Sequence, residues 1–363
     1  MIDLKKFRRD LHQIPELGFE EFKTQAYILN ALDGLDCKIE TVGTGTILYF
    51  DTNSPRTIAF RADIDALPIE EETGLGFASR HPGKMHACGH DGHTSILLGL
   101  AHFLNENKQT LNKNIVLVFQ QSEEKETGAK TVIDSGILQK YNPEAIFGLH
   151  LWPGFKKNSI WTRAGEFMAT SNELNVHIIG RASHVANSEL GIDSIAAACD
   201  FLTAAYDMEK QLQSEVFRLL KFGKIEAGTA RNIIAGEAII NGTIRSFDEK
   251  IHDELKAGII RIAGTVDDKF KTRTVISYEG AYDAVLNDAT VLGKVKTFAP
   301  FINELVDPVL QGEDFGLYRG VCPILFFFLG VGDVAPLHNE KFDFDMDVLD
   351  TGLNLFKEIV LNY

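Results

Sequence analysis

Four short apolar runs constrain the fold of this chain more than any other feature of its sequence. They cover residues 57–62, 115–119, 145–149 and 324–329. Continuous apolar strands that alternate with helical segments are typical of a mixed, mostly parallel α/β sheet covered by helices. The runs lead to polar residues, which are Asp63, Glu123 with Glu124, His150 and, after a short loop, His338. Ligands of open α/β sheets bind beyond the carboxyl ends of the strands, so we expect these side chains to converge.

A ligand-rich segment at residues 85–93 reads Met-His-Ala-Cys-Gly-His-Asp-Gly-His. Its Cys88 and His90 are separated by one glycine, so both side chains can turn onto the same ion. A thiolate is a soft ligand and an imidazole a borderline one, which indicates zinc or a similar transition metal rather than magnesium or calcium. A buried free cysteine beside surface histidines is the alternative, and the density of ligand types in this segment argues against it.

The composition limits the class of protein. A chain of 363 residues exceeds what one hydrophobic core usually organises, so two domains are expected. The net charge of −15 argues against binding to nucleic acid or to an anionic membrane surface. There is no apolar run of about 20 residues, and the first residues form a charged amphipathic pattern, so we expect neither a membrane span nor a signal peptide. The four cysteines are too scattered for a disulfide framework, which favours a cytoplasmic location.

The middle of the chain has a different pattern, which predicts an inserted domain at about 171–284. Strands are expected at residues 173–180, 216–227, 237–245 and 272–279, with helices at 191–213 and 248–269. This order, β-α-β-β-α-β, is that of a ferredoxin-like α+β unit. Residues 1–170 and 285–363 would then form one catalytic domain that the insertion interrupts.

Five side chains could together bind two metal ions, and they are Cys88, His90, Glu124, His150 and His338. A pair of ions needs a bridging ligand, usually a carboxylate or a thiolate. Asp63 is expected to fix the tautomer of a ligand histidine. Glu123 directly precedes a ligand and points elsewhere, which suits a general base that takes a proton from the attacking water. For Glu123 and Glu124 alone, a solvated acidic turn is the alternative.

Several short segments are together characteristic of a known family. They are Arg-Ala-Asp-Ile-Asp-Ala-Leu-Pro at 61–68, Met-His-Ala-Cys-Gly-His-Asp at 85–91, Glu-Glu at 123–124, Gly-Leu-His at 148–150 and Gly-Glu-Asp-Phe at 312–315. These segments resemble the M20 metallopeptidase family, and best its amidohydrolase branch. The resemblance implies hydrolysis of an N-acyl amino acid by two divalent metal ions per chain, with Zn, Mn, Co and Ni all open. It also implies the same five ligands, Glu123 as the base, and Asp63 as the support of a metal-site histidine.

The inserted region also resembles this family. Gly-Arg-Ala-Ser-His at 180–184 is similar to a block whose histidine reaches the scissile carbonyl when a lid closes, which implies that His184 is an oxyanion donor. Asn232 and Arg245 match positions that hold the substrate carboxylate, a role that suits an arginine fork. The resemblance further implies a lid that could pair with a second copy as a homodimer. Taken alone, His184 would be a surface histidine and Arg245 part of a surface salt bridge.

The substrate is less constrained than the chemistry. The opening at residues 8–25 is most similar to bacterial N-acetyldiaminopimelate deacetylases, which implies N-acetyl-L,L-diaminopimelate as substrate and a role in lysine biosynthesis. A broad-specificity N-acyl-amino-acid amidohydrolase or hippurate hydrolase is the first alternative. A metal- or amino-acid-binding protein without catalysis is a remote one, because the ligands and Glu123 are all present. The segments at 121–128 and 185–189 depart from the family pattern, which leaves the substrate pocket open.

Overall fold

An eight-stranded mixed sheet forms the centre of the first of two compact units. The computed structural model describes residues 2–126, 128–212 and 217–363. The first unit comprises Met1–Phe167, Val285–Pro308 and Asp314–Tyr363, and the second comprises Met168–Ala284 and Val309–Glu313. The predicted insertion at 171–284 corresponds to most of the second unit. The second unit also includes residues 309–313, which the sequence pattern does not assign to it.

The described residues form sixteen strands and ten α-helices. The strands are β1 (Lys38–Val42), β2 (Gly45–Phe50), β3 (Thr57–Asp63), β4 (Asn114–Gln120), β5 (Ile146–Pro153), β6 (Ile160–Thr162), β7 (Gly165–Met168), β8 (Thr170–Ile179), β9 (Ser183–His184), β10 (Arg218–Ala227), β11 (Ile233–Ile234), β12 (Glu237–Ser246), β13 (Arg273–Tyr282), β14 (Val285–Asn287), β15 (Asn303–Glu304) and β16 (Ile324–Gly332). The helices are α1 (Leu4–His12), α2 (Phe22–Ala31), α3 (His90–Asn107), α4 (Glu123–Glu126), α5 (Gly128–Asp134), α6 (Ile137–Tyr141), α7 (Ser194–Gln211), α8 (Glu249–Phe270), α9 (Ala289–Phe298) and α10 (Val348–Asn362). Short 3-10 helices cover Lys108–Thr110, Val185–Leu190 and Asp314–Gly320. None of the described helices combines the length and the apolar character needed to cross a membrane.

The large sheet confirms the predicted mixed, mostly parallel architecture. Its strand order is β1-β2-β4-β3-β5-β16-β6-β15, and the central strands β4, β3, β5 and β16 are mutually parallel. Every residue of β3 and β4 is buried, as expected for strands that are covered on both faces. The register aligns Asp63 with Gln120 and His150 with Phe328. The carboxyl ends of the central strands therefore meet at one edge of the sheet.

The second unit confirms the predicted ferredoxin-like order of elements. Its antiparallel sheet has the order β10-β12-β8-β13, and α7 and α8 pack on one face. Strand β8 alternates, so that Leu174, Val176 and Ile178 are buried against these helices. Asp193 and Asp248 cap α7 and α8 by accepting backbone N–H bonds, which explains where the helices begin. The predicted start of the second strand, residue 216, and the predicted end of the first helix, residue 213, lie outside the described residues.

Candidate metal centre

The carboxyl ends of β3, β4 and β5 converge on a cluster of side chains that could bind metal. Ligand atoms of Cys88, His90 and His150 lie within 4.8 Å of one another, and so do those of Cys88, Glu124 and His338. Cys88 belongs to both groups, so the two groups form one continuous cluster. The structure thus brings together all five residues that the sequence analysis predicts as ligands.

Two left-handed backbone positions bring the cluster together. Gly89 has φ 84°, which glycine adopts without steric cost, and α3 then begins at His90. His338 has φ 63°, an uncommon conformation for a residue with a side chain, and its backbone N–H donates to the carbonyl of Ala87 at 2.9 Å. This bond fixes the loop after β16 against the loop that carries Cys88. Strain of this kind is often found at functional sites.

Backbone and carboxylate acceptors orient two of the imidazoles. Nδ1 of His90 lies 3.0 Å from the carbonyl oxygen of Asp65 and 3.2 Å from its Oδ1, and Nδ1 of His150 lies 2.7 Å from the carbonyl oxygen of Leu151. A carbonyl oxygen only accepts, so both rings carry a proton on Nδ1. In the neutral rings, Nε2 then presents its lone pair to the cluster. Nε2 of His150 is 3.3 Å from Sγ of Cys88.

The second ring nitrogen of His90 tests whether the cluster fits a metal ion. This buried Nε2 has no hydrogen-bond partner among residues 2–126, 128–212 and 217–363, although buried polar atoms are nearly always paired. It lies 3.8 Å from Oδ2 of Asp63 and 3.8 Å from Oε1 of Glu124. Burial lowers the pKa of His90, but Asp63, Asp65 and Glu124 outweigh it and raise that pKa to about 10. An unpaired nitrogen among carboxylates suits a cation, and nitrogen, sulfur and oxygen donors together suit a zinc-like metal.

The charge state of the thiol depends on such a cation. Burial raises the pKa of Cys88 well above its usual value, and the carboxylates of Glu124 and Glu123 raise it further. Burial lowers the pKa of His150 well below its usual value, which favours the neutral ring that metals bind. A metal beside the sulfur stabilises the thiolate, so binding of metal would release a proton here.

The two consecutive glutamates meet the cluster at different points. The backbone N–H of Glu124 donates to Oδ2 of Asp65 at 2.9 Å, and its Oε1 lies 3.1 Å from Nε2 of His338. Burial opposes ionisation of Glu124, but His338 and His90 outweigh it and lower the pKa of the carboxyl. Glu123 is buried, and its carboxylate lies within 4.8 Å of ligand atoms of Glu124 and His90. One turn therefore supplies both a ligand candidate and a base candidate.

Asp63 is expected to support a ligand histidine, and in the structure its hydrogen-bonded histidine is His93, which is not one of the five ligand candidates. Its Oδ1 lies 2.6 Å from Nδ1 of His93, whose Nε2 accepts the backbone N–H of Leu151 at 2.9 Å. Both nitrogens of His93 are thus bonded within the protein, which leaves it no lone pair for a metal. The carboxylate at Nδ1 of the candidate ligand His90 is Asp65. Burial opposes ionisation of Asp63, but His90 and His93 outweigh it and hold its pKa well below the usual range.

A buried network behind Asp63, which the sequence analysis missed, ties β3 and β4 to the segment after β15. The guanidinium of Arg61 donates to Oδ2 of Asp63 at 2.7 Å, to Oδ1 of Asp314 at 2.6 Å and to Oε1 of Gln120 at 2.9 Å. Asp314 also accepts the backbone N–H of Ala129 at 2.9 Å. Burial raises the pKa of Asp314 to about 6, even beside Arg61. A signal was available, because Arg61 and Asp63 are two apart on a buried strand and so share one face.

A second missed network fixes α1 to the first turn of α3. Asp91 accepts Nε of Arg8 at 3.1 Å and lies 2.7 Å from Nδ1 of His12. Nε2 of His12 is 3.4 Å from Oε1 of Glu71. Burial lowers the pKa of His12, but Asp91 and Glu71 outweigh it and raise that pKa to about 9. Residue Asp91 directly follows His90, so this network holds the turn that carries a candidate ligand.

Within the second unit, the structure separates the three predicted substrate residues into two places. His184 is exposed on β9 and pairs with Ile233, and the carbonyl of the exposed Asn232 accepts the N–H of Val185 at 3.1 Å. Arg245 lies near the far end of β12, where its Nη1 donates to the carbonyl of Leu310 at 2.8 Å. At about 3.3 Å per strand residue, Arg245 lies roughly 26 Å along β12 from Glu237, where the strand begins. His184 and Asn232 are therefore neighbours, and Arg245 is not near them.

Comparisons with known proteins agree over nearly the whole chain. Residues 59–362 match the family described as Peptidase family M20/M25/M40. The chain is 36% identical to an N-acetyldiaminopimelate deacetylase of Oceanobacillus iheyensis, with 100% of both chains covered. It is 37% identical to the enzyme of the same name from Leuconostoc citreum, over 99% of this chain and 96% of the relative.

Solved structures show the same fold. A putative aminohydrolase from methicillin-resistant Staphylococcus aureus superposes with a TM-score of 0.91 at 29% identity, over 99% of this chain and 96% of the other. A dinuclear metal-binding peptidase of the M20 family from Bacillus subtilis superposes with a TM-score of 0.83 at 30% identity, with the same coverage.

Proposed function

This chain belongs to peptidase family M20/M25/M40, which makes it a dinuclear metal hydrolase, and we propose that it deacylates an N-acyl-L-amino acid, with N-acetyl-L,L-diaminopimelate as the substrate. The observation that carries the proposal is the convergence of a thiol, three imidazoles and two carboxylates at the strand ends. The donor set suits borderline transition metals rather than magnesium or calcium.

We propose that Cys88, His90, Glu124, His150 and His338 would hold two divalent metal ions. Cys88 is in both groups of ligand atoms, which supports assigning all five residues to one centre. When bound, such ions polarise the amide carbonyl and make a water molecule a better nucleophile at neutral pH. Asp65 and the carbonyl of Leu151 hold the rings of His90 and His150 in the tautomer that this binding requires.

Glu123 is the proposed general base and acid. Its carboxylate accepts a proton from the attacking water as the oxygen adds to the amide carbon, and it returns that proton to the nitrogen as the C–N bond breaks. The products are a carboxylic acid, acetate for the favoured substrate, and a free amino acid. Asp63 takes no part in proton transfer in this scheme, because it is occupied by His93 and Arg61.

The second unit is proposed to close on the substrate and to pair with a second copy. His184 would donate to the oxyanion, and Asn232 and Arg245 would bind the substrate carboxylate. Within one chain, Asn232 lies before β12 begins and Arg245 lies near its far end, so the two are too far apart to hold one carboxylate together. A homodimer, in which the two residues come from different copies, would remove this conflict.

Substrate preference tests the proposal. The purified, metal-loaded protein should cleave N-acetyl-L,L-diaminopimelate with a kcat/KM more than tenfold above that for N-acetyl-methionine, a difference of about 1.4 kcal/mol in transition-state binding. Hippurate, assayed in parallel, tests the acyl group, and Glu123→Gln is the control for contaminating activity. Equal or faster cleavage of N-acetyl-methionine or hippurate would assign the protein to the broad aminoacylases instead.

A further inference from the structure

The turn that presents Glu123 and Glu124 holds a strained residue. Ser122, which joins β4 to this turn, has φ 50°, a left-handed conformation that costs energy for a residue with a side chain. Its carbonyl accepts the N–H of Gly128 at 2.8 Å. A side chain at Gly128 would place its Cβ 1.6 Å from the carbonyl oxygen of Gln121. The turn is therefore tightly closed, and something must stabilise Ser122 in this conformation.

A buried carboxylate from the N-terminal segment contacts this strained residue. Oε1 of Glu21 accepts the backbone N–H of Ser122 at 2.8 Å, and its Oε2 accepts the hydroxyl of Thr44 at 2.5 Å. The chain directly before it also packs on the turn, since a Cβ at Gly18 would lie 2.4 Å from Oγ of Ser122. The segment around residues 18–21 thus contacts Ser122 at two points.

Glu21 is not needed for the local structure of its own helix. It occupies the N-cap position of α2, yet within the described part of the chain its side chain makes no capping bond to α2. Glu16 performs that task, because its Oε2 accepts the N–H groups of Lys23 at 2.8 Å and Thr24 at 2.9 Å. Glu21 is fully buried, and burial raises its pKa to about 7. Burial of a carboxylate costs free energy, so the hydrogen bonds of Glu21 to Ser122 and Thr44 are the best explanation for its position.

We propose that Glu21 is a positioning residue, which holds Ser122 in its left-handed conformation and thereby sets the directions of Glu123 and Glu124. The effect on turnover rests on the function proposed above for this pair. The contact with Ser122 does not, so it can be tested without a substrate. A small displacement of catalytic groups commonly costs on the order of 100-fold in rate, which sets the scale of the expected effect.

The first test is Glu21→Ala against Glu20→Ala, a matched control whose exposed carboxylate accepts a hydrogen bond from the half-buried Lys84 at 3.1 Å. Glu21→Ala should lower kcat at least tenfold while KM changes less than threefold, and Glu20→Ala should change neither. Glu21→Gln should keep most of the turnover, because its amide oxygen can still accept the N–H of Ser122. Thr44→Val, which removes the other partner of Glu21, should lower kcat by a smaller factor. Unchanged kcat in both Glu21→Ala and Thr44→Val would overturn the proposal.

The second test is rescue by a residue that needs no external support. Ser122→Gly adopts positive φ freely, so Glu21→Ala combined with Ser122→Gly should recover at least half of the lost kcat on a logarithmic scale. A purely structural role of Glu21 would leave the double variant as slow as Glu21→Ala, which would contradict the proposal. Hydrogen exchange gives a readout that needs no activity, and the Ser122 amide should exchange at least tenfold faster in Glu21→Ala than in the parent protein. Equal exchange overturns the proposal even if the hydrolase function holds, whereas an inactive parent protein overturns the function alone.

Discussion

Cys88 and Cys322 have the same exposure, 7% each, but different neighbours. Of these two cysteines, only Cys88 belongs to a group of described residues that could hold a metal ion. We therefore predict that Cys88→Ala loses metal and activity together, with kcat/KM reduced at least roughly 100-fold, because the change removes a ligand that belongs to both groups of the centre. Cys322→Ala is the matched control and should keep two ions. Elemental analysis decides, and full occupancy in Cys88→Ala would remove the thiol from the ligand set.

The adjacent glutamates should respond differently to the same change. Glu123→Gln is nearly isosteric but cannot accept a proton, so we predict that it keeps its metal and loses about 10²- to 10⁴-fold in turnover. Glu124→Gln, the paired variant, should lose metal affinity as well. Metal titration and steady-state rates on both variants separate the roles. If Glu123→Gln is the variant that loses metal, the two assignments are reversed.

At this scale, residue chemistry predicted which side chains converge but not how they pair. Cys88, His90 and His150 were recognisable because thiol and imidazole at strand ends have few structural uses. Asp65 and His93 were not, since the partner of each carboxylate depends on how α3 packs against β3, which no short segment encodes. The sequence therefore suggests Asp63 as the carboxylate that supports a ligand histidine. In the structure, Asp65 contacts the ligand candidate His90, and Asp63 contacts His93.

At the scale of secondary structure, helix α3 shows a similar limit of prediction from sequence. Its apolar residues begin at Ile96, whereas the helix itself begins at His90. The first turn is polar because its side chains serve the site and the network with α1, so apolar periodicity could not detect it. Strands β3, β4, β5 and β16 were predictable because each contains a continuous apolar run in the sequence. Two-residue strands such as β15 were not, because they lack a pattern of their own.

The link between α1 and α3 predicts a dependence of stability on pH. The folded-state pKa of His12, about 9, is above its ordinary value of 6.5, so its contribution is fully present below pH 6.5 and is lost as pH rises through 9. The shift corresponds to about 3 kcal/mol. The difference in unfolding free energy between the parent protein and His12→Ala should therefore shrink by about that amount from pH 6 to pH 10. Denaturant titrations at both pH values measure it, and a difference that stays constant or grows would show that His12 is not held as a cation.

For the whole molecule, the division into two units was only partly predictable. Composition and the β-α-β-β-α-β order predict an insertion at about 171–284. In the structure, the second unit also includes residues 309–313. That short segment bonds to the unit through its backbone carbonyls, since Gln311 accepts the N–H of Ala169 at 3.2 Å and Leu310 accepts Nη1 of Arg245 at 2.8 Å. Hydrogen bonds of this kind leave no hydrophobic pattern in the sequence, so the sequence does not predict that residues 309–313 belong to the second unit. The chain therefore passes between the units four times rather than the expected two.

The last prediction concerns movement of the units and pairing of chains. The metal-binding candidates are all in the first unit, and His184, Asn232 and Arg245 are all in the second, so the proposed reaction requires the units to approach each other around the substrate. Glu123→Gln, loaded with metal and N-acetyl-L,L-diaminopimelate, should hold the closed state because it binds the substrate without cleaving it. We expect its radius of gyration in solution scattering to fall on addition of substrate, and light scattering to give the mass of two chains. Acetate alone is the control and should change neither quantity. A single rigid monomer that fits the scattering with and without substrate would argue against both closure and pairing, and His184 would then need another role.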